Sequence, residues 1–169
     1  MKVQAGPALA AGAAGVAIAV GGLQTWVNIS GSGVLIHFSG MGNFSAPSSW
    51  NAAAVAGLHG MPIAWATNIA GAIMIAAAAL HLLGAVSATS IAWKGLGFPA
   101  VVSAGVAIYG MLNKEALLTV GRSDLASFDV SSGHAPVVVL IGAIVGLYTA
   151  FQLSARAAQA TPEAEYAQQ

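Results

Sequence analysis

Cysteine is absent from this chain and charge nearly so: ten Asp, Glu, Lys and Arg among 169 residues. Without cysteine there is no disulfide, no thiolate metal centre and no thiol nucleophile. The formal net charge of zero leaves no electrostatic footprint for nucleic acid. From Val3 to Trp93 not one Asp, Glu, Lys or Arg occurs. A water-facing surface carries roughly a quarter to a third charged residues, whereas here 6% are charged and 57% hydrophobic. Most of this chain is therefore expected to face lipid.

Crossing a hydrocarbon core of about 30 Å takes about 20 apolar residues. Four runs meet or approach that length: residues 5–27, 61–86, 97–112 and 135–155. The expected fold is an all-α transmembrane four-helix bundle in one domain, 1–158. The third run is the shortest, and extending it back through Trp93 brings Lys94 to the interface, where a long amine can snorkel. The first run could pass for a secretory signal, but it continues to Val27, beyond the length of an h-region, so it is expected to remain as a helix. With four spans both ends share a side with the link between the second and third helices. That side holds Lys2, Lys94 and Arg156 against Lys114 and Arg122 opposite, so both termini are expected in the cytoplasm of a plasma-membrane protein. The polar residues 159–169 are expected to be a disordered tail.

Two outer segments, 28–60 and 113–134, follow from this topology. In the first, Trp26 to Ser30 and Val34 to Ser39 are rich in β-branched and aromatic residues around Gly31-Ser32-Gly33, which predicts a β-hairpin. A lone hairpin is marginal in water, so a second pair of runs, Ala116 to Val120 and Leu125 to Ser131, is expected to join it in an extracytoplasmic β-hairpin or sheet cap. The alternative is that Ala116 to Val120 continues the third helix. Residues 40–50 have loop composition. Trp26 and Trp50 on the outer side, with Trp93 on the inner, are expected to form an interfacial aromatic belt. Asn28-Ile29-Ser30 and Asn43-Phe44-Ser45 match the glycosylation acceptor pattern, a three-residue signal common by chance in Ser-rich loops.

Lipid tails are as apolar as leucine, so membrane helices associate through close backbone approach at small residues four apart. Gly142, Gly146 and Ala150 form such a face on the fourth helix, and Ala11, Gly15 and Ala19 on the first. Each face can meet a helix of the same bundle or of a partner subunit. Asn68 is the one strongly polar side chain well inside the second helix, where an interhelical hydrogen bond is expected of it. Pro99 is placed in the first turn of the third, where its missing N–H costs nothing.

Proton-coupled carriers hold an ionisable group at mid-depth. None of the four runs supplies a carboxylate, and no Gly-rich phosphate loop is present, so neither proton pumping nor ATP hydrolysis is indicated. His59 and His81 are 22 residues apart, about 33 Å along a helix, and cannot share a haem. His59 and His134 lie at similar outer depth and could hold haem, or with His37 a metal ion. Ser131 or Ser132 with His134 and Asp129 is the only sequence-local triad chemistry, and triads are defined by geometry rather than sequence proximity. Asn68, Thr67 and Gln24 would have to line any autonomous channel. The leading expectation is no enzyme activity and no cofactor.

Gly21-Gly22-Leu23-Gln24-Thr25-Trp26-Val27, closing the first helix before a β-like segment, resembles the small actinobacterial four-helix membrane proteins typified by the Trp-operon-associated family. The layout is similar to the claudin plan of an outer sheet on a four-helix bundle, without the claudin Gly-Leu-Trp and paired cysteines. In mycobacteria and their relatives, proteins of this type occur as accessory subunits of Mce lipid importers and respiratory supercomplexes. The resemblance implies a non-catalytic accessory subunit among other integral membrane subunits, with a lipid transporter ahead of a respiratory assembly.

Overall fold

The computed structural model describes residues 5–31, 34–45, 59–118 and 129–166. The chain is mostly helical, at 71%, with four long apolar helices and a small four-stranded antiparallel sheet. α1 is Ala5–Leu23, α2 Ala64–Leu82, α3 Ala88–Leu112 and α4 Ala135–Tyr166. Each is long and apolar enough to cross a membrane. Large apolar side chains stand exposed on all four, among them Leu9, Val16, Ile69, Ile73, Phe98, Ile108, Ile141 and Phe151. The interior combines small residues, with Ala8, Ala11, Ala100, Ala107, Ala143 and Ala150 fully buried, and a few large ones, Ile18, Met74, Leu96 and Leu153. So many exposed large apolar side chains are unlike a water-soluble bundle, where contiguous apolar surface is limited.

The helix ends differ from the hydropathy boundaries because local backbone chemistry sets them. α1 stops at Leu23 rather than at residue 27, since Thr25 already belongs to a strand. α2 ends in a Schellman motif: Gly84 takes φ 73°, its N–H donates to the His81 carbonyl and the Ala85 N–H to Leu80. His81 is 1% exposed, and its Nδ1 bonds the Val86 carbonyl at 3.0 Å, fastening the following turn.

The third helix is longer than residues 97–112. It begins at Ala88, capped by the Ser87 side chain, and carries exposed Lys94 in its first half. Pro99 lies in the first turn of the regular α-helical part, Phe98–Leu112, as expected, but that part continues a helix already begun at Ala88. The preceding residues, Ala92–Gly97, form a π-helical stretch in which the Phe98 N–H donates to the Trp93 carbonyl. A proline removes one i→i−4 donor and crowds the preceding turn, and the widened turn supplies the room. α4 also exceeds its expected length, running to Tyr166 where a disordered tail from residue 159 was expected. The Ala, Gln and Arg residues after Leu153 are good helix formers and continue it.

The sheet has the order β3-β2-β1-β4, all antiparallel. β1 is Thr25–Gly31, β2 Val34–Ser39, β3 Phe44–Ser45 and β4 Asp129–Ser132. The β1–β2 hairpin matches the predicted runs. β3 falls in a stretch read as loop, returned by a turn in which Gly42 takes φ 82°. In the second outer segment, Lys114–Leu117 forms a 3-10 turn and Leu118 bridges Gly60. α3 therefore ends at Leu112 and does not continue through residues 116–118. Only β4 of the expected second hairpin is described, and residues 119–128 lie outside the described residues.

One sheet face is apolar, with Val27, Ile29, Ile36, Phe38 and Val130 buried in the same cluster as the helix core. The other carries a polar row across all four strands, since Ser131 pairs with Asn28, Asn28 with His37 and His37 with Ser45.

Candidate functional site

Close helix approach accounts for the small-residue faces. A Cβ on Gly15 would stand 2.8 Å from the Gly71 carbonyl oxygen, and one on Gly71 would stand 2.6 Å from that of Gly15. α1 and α2 thus cross backbone to backbone, with Ala19 beside Gly71. Ala11 is fully buried. On α4, Gly142 lies against Ile18 and the Ala14 carbonyl of α1, while Gly146 faces Met74 of α2 and Ala100 of α3. These faces meet helices of the same chain. Gly71, the one glycine of α2, is the partner that sequence reading missed, since a lone glycine makes no small-residue repeat that would pair it with Gly15.

The buried hydroxyls are satisfied inside their own helices. Thr67 donates to the Ala64 carbonyl at 2.9 Å, Ser103 to Pro99 at 2.9 Å and Thr149 to Gly146 at 2.8 Å. Asn68 packs against α1 without the interhelical hydrogen bond expected of it. Its amide nitrogen donates to the Met41 sulfur at 3.3 Å, its Oδ1 is buried without a hydrogen-bond partner, and the side chain lies directly on Gly22. Thr67 is engaged within its own helix, whereas Asn68 and Gln24 each keep a buried oxygen without a hydrogen-bond partner.

Of the expected aromatic belt, Trp93 is 63% exposed, whereas Trp26 is 1% exposed and belongs to the core. A register shift in β1 between Thr25 and Val27 is the cause. Such a bulge lets two successive residues face the same way, so Trp26 and Val27 are both buried. The indole N–H donates to the Gly21 carbonyl at 3.0 Å, and Gly40 and Gly110 make room for the ring. Trp65, at the start of α2, is the tryptophan exposed at the sheet end. Trp50 lies outside the described residues.

His37, His59 and His134 do not gather into a metal site: among the described residues no group of three or more His, Asp or Glu could hold an ion. His59 and His134 are both exposed, ahead of α2 and α4. His37 is engaged within the sheet, where its Nδ1 bonds Asn28 Oδ1 at 2.6 Å. With an amide oxygen as partner, Nδ1 is the donor in this bond.

Concavities among the described residues include an apolar and a polar one. The first is an apolar groove of about 220 Å³ between α2 and α3, walled by Ile69, Ile73, Phe98 and Val102 with Ala66 and Ala70 at its base. The second, about 240 Å³, lies where α1 passes into the sheet. Gln24, Thr25, His37, Ser39, Asn43 and Ser45 give it amide, imidazole and hydroxyl groups, with Leu23 and Phe44 at its apolar side. The Gln24 Oε1 is buried and makes no hydrogen bond.

Fold and site define a class: a four-helix protein with an apolar exterior, an interior rich in small residues and a four-stranded antiparallel cap. No protein-family model, curated protein or solved structure matches this chain.

Proposed function

We propose that this chain is a multi-pass plasma-membrane protein acting as a non-catalytic accessory subunit of a larger membrane assembly. The observation that carries the reading is the groove between α2 and α3. It opens on the apolar exterior, and its base is made of alanines while the chain's glycine faces are consumed by internal packing. In lipid a helix is held by close van der Waals contact rather than by a hydrophobic driving force. A groove floored by Ala66 and Ala70 admits a partner helix more closely than the bulky surface around it. α1 and α2 carry no Asp, Glu, Lys or Arg, and the one titratable side chain of α2, His81, is bonded to the Val86 carbonyl at the helix end, which accords with a packing role rather than ion or proton transport.

The resemblance to actinobacterial accessory subunits favours a lipid transporter of the Mce type over a respiratory assembly. Both termini are assigned to the cytoplasm and the sheet to the opposite side. Purification from host membranes at native expression tests the subunit role, with native mass spectrometry as the readout. An integral membrane partner at fixed stoichiometry, lost on Ala66→Trp, is the expected result. A monodisperse monomer with no partner, or a partner indifferent to a filled groove, overturns it.

A further inference from the structure

The geometry points to the concavity between the end of α1 and β2–β3 as a binding site for an uncharged, hydroxyl-rich lipid head group, such as a monosaccharide on diacylglycerol. The assignment rests on the proposed bilayer placement. α1 has 19 residues, a rise of about 28 Å, which matches a hydrocarbon core of about 30 Å. Its last residue, Leu23, is 60% exposed and forms one lip of the concavity, and the polar wall begins at the next residue. The site thus opens sideways at head-group depth, with an apolar lip for the chains below it.

Chemistry selects among head groups. Among the described residues the lining contains no Lys, Arg, Asp or Glu. Phosphate is acceptor-only and is ordinarily held by Arg, Lys or clustered basic residues, and an ammonium head by a carboxylate or an aromatic cage. The Gln24 and Asn43 amides and the Thr25, Ser39 and Ser45 hydroxyls instead both donate and accept. They pair with groups that do the same, which are alcohols. His37 is held by Asn28 through Nδ1 and leaves Nε2 for a ligand hydroxyl, which can donate or accept, and Gln24 can turn towards a ligand without losing any bond through Oε1. At about 240 Å³ the site is below the roughly 300–1,000 Å³ of ordinary ligand pockets. It accommodates a head group and leaves the acyl chains along α1.

The test uses the full chain in phosphatidylcholine nanodiscs containing equal amounts of monoglucosyl diacylglycerol and phosphatidylglycerol, with retained lipid read by native mass spectrometry. Flotation with liposomes comes first. A chain that fails to enter the bilayer refutes the placement, whereas entry without lipid selectivity refutes this site alone. The expected result is preferential retention of the glucosyl lipid, reduced about tenfold by Asn43→Ala or His37→Phe through loss of one or two hydrogen bonds. Asn43 is exposed, so N43A keeps the test valid should H37F not fold. Equal retention of both lipids, or retention indifferent to both substitutions, overturns the assignment. So does binding of free methyl glucoside by a chain without lipid selectivity, which would make a soluble sugar the ligand.

Discussion

Replacing Gly71 by alanine is expected to loosen the α1–α2 crossing, although alanine is the better helix former. The added methyl would stand 2.6 Å from the Gly15 carbonyl oxygen, 2.9 Å from the Ala19 nitrogen and 3.0 Å from the Ala19 Cβ. Two of these are backbone atoms, which cannot rotate aside. Ordinary contact begins near 3.4 Å, so the helices must part by about 0.8 Å at the point where they are closest, and overpacking of this kind costs about 1–3 kcal/mol. The propensity gain on replacing glycine is about 0.8–1 kcal/mol, which the steric cost exceeds over most of its range. Gly105→Ala is the matched control, because a methyl there meets nothing within 4 Å on the exposed face of α3. Thermal unfolding of both variants in one mild detergent should show a lowered Tm for Gly71→Ala and an unchanged or raised one for Gly105→Ala. If Gly71→Ala unfolds no earlier than the parent, backbone contact between α1 and α2 is not what holds the bundle, and the reasoning fails.

Two further outcomes follow from the same packing. Gly146→Leu drives a branched side chain between Met74, 2.5 Å from the first added carbon, and Ala100, 3.2 Å from it; a loss of about 1–3 kcal/mol is expected, and an unchanged unfolding midpoint would remove α4 from contact with α2 and α3. Trp26→Phe deletes the indole N–H bond to the Gly21 carbonyl, which keeps the Gln24 N–H as a donor, so a loss of about 0.5–1.5 kcal/mol is expected. Lowered stability with blue-shifted, quencher-resistant Trp26 emission in the parent is expected, measured in a background with the other three tryptophans replaced by phenylalanine; red-shifted, quenchable emission would return Trp26 to the surface.

Hydropathy reveals much of the helical part of this fold because the chain has so few charges to interrupt its apolar runs. The hairpin was legible for a different reason: Trp26 to Ser30 and Val34 to Ser39 combine β-branched and aromatic side chains around a Gly-Ser-Gly connector, a local signal. What escaped depends on partners distant in sequence. The inward turn of Trp26 comes from a bulge set by pairing with β2 and from space left at Gly40 and Gly110, neither of which its neighbours disclose. Gly71 has no pattern apart from its encounter with Gly15. The π stretch before Pro99 was hidden because the helix was expected to start near the proline rather than at Ala88, and β3 because two residues of pairing leave no periodicity. The polar concavity was illegible for the same reason, since it brings Gln24 and Asn43 together across a turn of sheet. His59 and His134 were singled out by residue type, and the structure leaves each exposed at the head of its own helix.

The central claim, that four helices cross a bilayer and carry the sheet on one side of it, is open to direct measurement because the chain has no native cysteine to interfere. Single cysteines at Ser131, exposed on β4, and at Ala85, exposed in the α2–α3 turn, report opposite faces. With a membrane-impermeant maleimide on intact cells, Ser131→Cys should label at once and Ala85→Cys only after permeabilisation, with both variants remaining in carbonate-washed membranes. Equal labelling of the two positions in intact cells, or release of the protein by carbonate, would contradict the account.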